Sequence, residues 1–212
     1  MIYKYDVVRS ARKSIAVSIT AENKITVRCG WLVRSEDIEK FLDSKSAWIE
    51  KVVLQNSKKL AANDDVLEFE KIYVNGSKLP LIFSDRNQIG DNCVYVKSKK
   101  DIEKLYVKQF FEEFKARVEE IATNAKLFPA DIAVKDYKGR WGCCDAENNL
   151  IFNYKLFMLP ASLRDYVIVH ELCHTVCHNH SAAFWRLVGE IMPDYKIRRQ
   201  QLKNYDFVTT LY

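Results

Sequence analysis

Proline and glycine are scarce in this chain, at 4 and 6 of 212 residues. That scarcity excludes a collagen-like or low-complexity polymer. No apolar run approaches the roughly 18 residues that span a bilayer, so no membrane segment is expected. The opening MIYKYDVVRSARKSIAVSI has neither a continuous apolar stretch nor a small-residue cleavage site, and does not read as a signal peptide. Six cysteines without an export signal are expected to be reduced thiols rather than a disulfide frame, and a cytoplasmic address follows. Neither sign of charge dominates. With 33 basic and 28 acidic side chains the net charge is +5, which permits an anionic partner without requiring one. What is abundant is apolar: 48% of residues are hydrophobic and 12% aromatic, enough for a packed core in one or two domains.

Residues 1–33 read as β structure. Ser14–Ile19 and Lys24–Arg28 are short β-branched runs. Ser35, followed by Glu36 and Asp37, opens a helical pattern that continues to about Lys59. Val66–Val74 and Lys78–Phe83 flank Asn75-Gly76, a strong hairpin signal because both residues tolerate positive φ. Cys93–Val96 reads as a further strand. Asp101 to about Lys126 is a long amphipathic helix, closed by Pro129. Ile132–Lys138 and Asn149–Phe157 read as two strands around a turn region from Gly139 to Asn148. Ser162 is expected to open a helix with Asp165 as its capping box, and Ala182–Ile191 is a last helix before Pro193 and a basic C-terminal segment. The change from β-rich to helical character near residue 98 divides the chain into residues 1–98 and 99–212.

All four histidines lie between residues 170 and 180. His170-Glu171-Leu172-Cys173-His174 is an H-E-x-x-H pattern. On a helix, positions i and i+4 share a face, so both imidazoles reach one metal ion. The glutamate beside that face can hold and deprotonate a metal-bound water. A catalytic zinc takes three protein ligands and leaves a fourth position open. His178, eight residues and roughly 12 Å of helical rise beyond His170, is awkward for a shared ion. His180 is the preferred third ligand, since Asn179 tolerates the left-handed conformation a returning turn needs. Two plainer readings stand beside this one. The histidines are surface residues of an ordinary helix, or Cys177 takes part in a structural zinc site.

These residues resemble a known family. His170–His174, Asn179-His180-Ser181 and Phe184-Trp185 resemble the H-E-L-x-H…N-H-S-x-x-F-W signature of YgjP-like metallopeptidases. Arg140-Trp141-Gly142-Cys143-Cys144 resembles its R-W-G-S-C element, with Cys143 in place of Ser, and Pro193-Asp194-Tyr195 its P-D-Y segment. More distantly the set is similar to SprT-like and WLM peptidases. The resemblance implies an α+β fold: a β-rich N-terminal half followed by a zincin-like domain with an HExxH active-site helix. It implies Zn2+ held by His170, His174 and His180, and Glu171 as general base. It also implies a strand, here Leu150–Leu156, whose edge holds an extended peptide.

Arg140 is a candidate substrate or transition-state contact, against a reading as surface cover for Trp141. Tyr195 and Tyr205 are candidate oxyanion donors, against ordinary packing roles. Cys143 and Cys144 lack a free histidine base and read as buried thiols. Met192 reads as core, and Phe184 and Trp185 as packing behind His180. The expectation is therefore a zinc-dependent hydrolase acting on peptides or proteins. One alternative is a metal-dependent nucleotide triphosphate pyrophosphohydrolase, although no G-x-x-x-x-G-K-[ST] loop is present. Another is a nucleic-acid-associated module with structural zinc, using basic groups such as Lys196, Arg198, Arg199 and Lys203.

Overall fold

Ile25, Val27 and Cys29 alternate along one strand and all three are buried, the period-2 mark of a sheet covered on one face. In the computed structural model, which describes residues 4–211, β1 (Tyr5–Ser10) and β2 (Ala16–Ile19) flank β3 (Ile25–Gly30). β1 runs parallel to β3 and β2 antiparallel to it. The expected β character of residues 1–3 lies outside the described residues. One continuous helix was expected after Ser35. Two are found, α1 (Ser35–Ser44) and α2 (Ser46–Ala61), broken at Lys45. Ser44 Oγ donates back to the Phe41 carbonyl at 2.7 Å, the local competition with helix backbone that serine supplies. Ile38, Leu42 and Ile49 close the core over Ile25, Val27 and Cys29.

This sheet and its helices form one compact unit, Met1–Asp64; the second is Asp65–Tyr212. The β structure of residues 71–96 thus shares a unit with the long helix that follows residue 98. After the one-turn α3 (Asp64–Leu67), which takes up the Val66 expected in a strand, β4 (Lys71–Val74) pairs with β5 (Ser77–Phe83). Asn75 and Gly76 make the turn at φ 49° and 85°, as the dipeptide predicts. β6 (Gln88–Ile89) and β7 (Val94–Val96) complete a sheet of order β4-β5-β7-β6. α4 (Asp101–Ala125) buries Ile102, Leu105, Tyr106, Phe114 and Val118. It ends in a left-handed Lys126, φ 56°, with Pro129 beyond.

The third sheet supports the histidines. β8 (Asp131–Lys135), β9 (Gly142–Cys144) and β10 (Asn149–Asn153) lie in the order β8-β10-β9. The region expected to be only a turn therefore contains a strand, β9, which lies at one edge of the sheet. β10 is central, parallel to β8 and antiparallel to β9. Both its edges are occupied and Tyr154–Met158 curls into a 3-10 turn, so Leu150–Leu156 has no edge to offer a peptide. Phe152 and Phe157 pack edge-on against Phe114 of α4, at 5.0 and 5.4 Å between centroids.

α5 (Ala161–His174) packs against β9 and carries two of the histidines. Pro160 stands at its N-cap, so Asp165 lies in the second turn and caps nothing. It instead accepts both Nε and Nη2 of Arg117, at 3.1 and 2.8 Å. α6 (Ala182–Ile191) begins at Ser181, whose Oγ accepts from the Phe184 N–H. The basic C-terminal segment folds as α7 (Tyr195–Leu202), then a 3-10 turn at Asp206–Thr210. All six cysteines are free. Among the described residues no helix is long and apolar enough to cross a membrane.

Candidate metal centre

Four-residue spacing on α5 sets His170 and His174 one turn apart, and their rings meet edge to face at 5.0 Å. The chain leaves α5 after His174 and returns to α6 through residues 175–181, which brings His180 back over the helix. His180 Nε2 then stands 3.0 Å from His170 Nε2. Among the described residues, these three histidines form a group whose ligand atoms all lie within 4.8 Å of one another. Neither His178 nor Cys177 joins it. Cys177 serves through its backbone: its carbonyl lies 2.9 Å from His174 Nδ1. A carbonyl only accepts, so Nδ1 carries the proton and Nε2 keeps a free lone pair.

Aromatic rings fix the cluster from behind. Phe184, fully buried, stacks on His174 at 4.5 Å and meets His170 and His180 edge-on at 4.9 Å each. Trp185 stacks on His180 at 5.6 Å, and Tyr195 stacks on Trp185 at 5.5 Å. Tyr195 is therefore one ring removed from the histidines and lines neither hollow beside them. His170 Nδ1 is buried without a hydrogen-bond partner, so its ring is oriented by packing rather than by an acceptor on its far side.

Glu171 is buried at 6% exposure, beside the histidines and against β9. A Cβ added at Gly142 would lie 2.9 Å from Glu171 Cγ, so only glycine leaves the carboxylate its place. Burial pushes the Glu171 carboxyl up to about 8, partly opposed by the nearby Arg140 guanidinium. Burial, and then the neighbouring imidazoles, push His170 down to about 3; burial also lowers His174. These two rings are thus neutral near pH 7, the state in which imidazole binds metal. Three imidazole nitrogens that converge, with a carboxylate beside them, suit a divalent ion such as zinc that keeps one position open.

The loop carrying Arg140 is held by Asn153, which is fully buried. Its Nδ2 donates to the carbonyls of Tyr137 and Arg140, at 2.8 and 2.9 Å, and its Oδ1 accepts from the Lys155 N–H. Its backbone N–H also donates to the Trp141 carbonyl at 2.8 Å. Sequence reasoning missed Asn153, and it missed Tyr166, which lines the hollow beside His170 and Glu171. Tyr166 had a signal: it precedes His170 by four and shares its helix face. Cys143 and Cys144 line the hollow on the metal side, and burial first, then Glu171, raises Cys144 to about 11, an unreactive thiol near neutral pH.

A family model described as YgjP-like, metallopeptidase domain, matches residues 13–205. No curated protein matches the chain. Among solved structures, the metallopeptidase zymogen of Pyrococcus abyssi abylysin is similar at 17% identity and a TM-score of 0.39, over 42% of this chain and 90% of that one. That likeness carries no argument here; the family match does.

Proposed function

The chain belongs to the YgjP-like metallopeptidases, and from that membership we propose that it hydrolyses peptide bonds with a zinc ion held by His170, His174 and His180. One observation carries the reading: three imidazole nitrogens converge within 4.8 Å beside a buried glutamate. When bound, zinc supplies Lewis-acid polarisation of the scissile carbonyl and a lowered pKa for the attacking water. Glu171 accepts the proton of that water on its carboxylate and then delivers it to the leaving amine. The rings of Phe184 and Trp185 keep the imidazoles in one arrangement. Arg140, beside Glu171, contacts the substrate, and Tyr195 acts through its stack on Trp185. The outer edge of β9 pairs with the peptide backbone, since its other edge is taken by β10.

Peptide and nucleotide triphosphate pools assayed side by side on metal-loaded protein test this. Cleavage of peptides that is abolished in Glu171→Gln, with zinc content unchanged, is the expected result. Hydrolysis of nucleotides alone, or full peptide turnover by Glu171→Gln, contradicts it. The family match supports neither the nucleotide nor the nucleic-acid alternative.

A further inference from the structure

A second hollow, of about 310 Å³, opens on His170 and Glu171 but is not lined by His174 or His180. Three cations line it: Arg140, Arg199 and Lys203. Among the described residues neither Arg140 nor Arg199 forms an ion pair. Both guanidinium groups lie instead over aromatic faces, Arg199 at 4.5 Å from the Trp185 ring centre and Arg140 at 5.3 Å from that of Tyr137. An aromatic face fixes a guanidinium in position without neutralising it. Besides Glu171 the wall has one acid, Asp206, which accepts from Trp141 Nε1 at 3.5 Å. Val167 and Leu202 add apolar surface to the lining. Size and chemistry thus suit one side chain or chain end with an apolar stem and a negative tip.

The position of this hollow says which part of a substrate enters it. The leaving amine has to reach Glu171 to receive its proton. The metal-side hollow is lined by all three histidines together with Glu171, whereas the cationic hollow shares Gly142, His170 and Glu171 with it but neither His174 nor His180. The fragment that departs as amine therefore extends toward Arg140 and Arg199. We propose that the cationic hollow is a carboxylate-recognition subsite for the residue immediately after the scissile bond, an inference that rests on the peptidase reading. The carboxylate comes from an acidic side chain or from a free C-terminus at that residue.

Internally quenched peptides that differ only in the residue after the scissile bond, Glu, Gln or Lys, test the subsite on metal-loaded protein. Each is made as C-terminal amide, with a parallel set ending as the free acid at that residue. Glu is expected to exceed Gln in kcat/KM by about tenfold or more, as for a charge-assisted contact, and Lys to be poorest. Arg199→Gln flattens the preference, and Arg199→Glu shifts it toward Lys. Fluorescence anisotropy of the same peptides on Glu171→Gln gives the same order of binding, with a steep loss at high salt. Preference for Glu over Gln in amidated peptides identifies the side chain as the source; free acids that exceed their amides whatever the residue identify the terminus. Equal kcat/KM for Glu, Gln and Lys, and for each free acid and its amide, overturns the subsite and leaves the peptidase reading standing. Cleavage of none of the peptides by metal-loaded protein overturns that reading, and the subsite with it.

Discussion

Gly142 and Glu171 are in direct contact: the glycine of the edge strand β9 fills the space where any side chain would meet the Glu171 Cγ at 2.9 Å. Ala at position 142 forces either the carboxylate or the strand to move. Gly142→Ala is therefore expected to keep its zinc and lose activity by about a hundredfold, the effect of a displacement near 1 Å at the reacting groups. Zinc analysis beside kcat/KM on one peptide checks it. Unchanged activity shows that Glu171 works from another position.

Asn153 locks the loop that presents Arg140, through three side-chain hydrogen bonds and complete burial. Asn153→Asp keeps the shape but sets a carboxylate oxygen against the carbonyls of Tyr137 and Arg140. The variant is expected to lose about 2 kcal/mol of stability, read as a fall in Tm of about 5 °C. Its kcat/KM falls further than the unfolded fraction explains, because the Arg140 loop is released. A Tm within a degree of wild type contradicts this.

Phe184 touches all three histidines. Phe184→Leu retains most of the buried volume and removes the flat surface that orients the rings. Zinc affinity is expected to fall about tenfold, in the range seen when groups that orient metal ligands are changed. Titration against a chelator measures it, with circular dichroism showing an unchanged fold.

The pH dependence of the apoprotein follows from two buried groups of opposite sign. His170 is lowered from 6.5 to about 3, so between those values the unfolded chain binds the extra proton and stability rises with pH. Glu171 is raised from 4.5 to about 8, so between those values the folded chain binds the extra proton and stability falls with pH. Their sum rises from pH 3 to 4.5, cancels to 6.5 and falls to 8. Melting in a chelator across this range is expected to show the decline above pH 6.5 in wild type and its loss in Glu171→Gln. A decline of equal slope in both proteins contradicts the burial of Glu171.

The sequence made the helix and its histidines legible because a metal site constrains residue type and spacing together. His170 and His174 share a face through the 3.6-residue period with Glu171 beside it, and His180 is preferred because a continued helix sets His178 awkwardly far from a shared ion while Asn179 permits a turn back. The Asn75-Gly76 hairpin was legible for a similar reason: the dipeptide itself meets the positive φ the turn demands. Strand β9 was not. Gly142, Cys143 and Cys144 are three residues without a hydrophobic alternation, and they become a strand only by pairing with β10. Asn153 escaped notice because its partners, the carbonyls of Tyr137 and Arg140, are backbone groups that no side-chain pattern encodes. The cationic hollow was hidden because Arg140 and Arg199 stand 59 positions apart and meet only in the folded chain.

Metal content of wild type and His180→Ala, both purified without metal-chelating tags, tests the three-histidine centre most directly. About one zinc per chain is expected in wild type, as for a three-ligand site with an open position, with its loss or strong reduction in His180→Ala. Full zinc in His180→Ala contradicts it and transfers the third ligand to another residue.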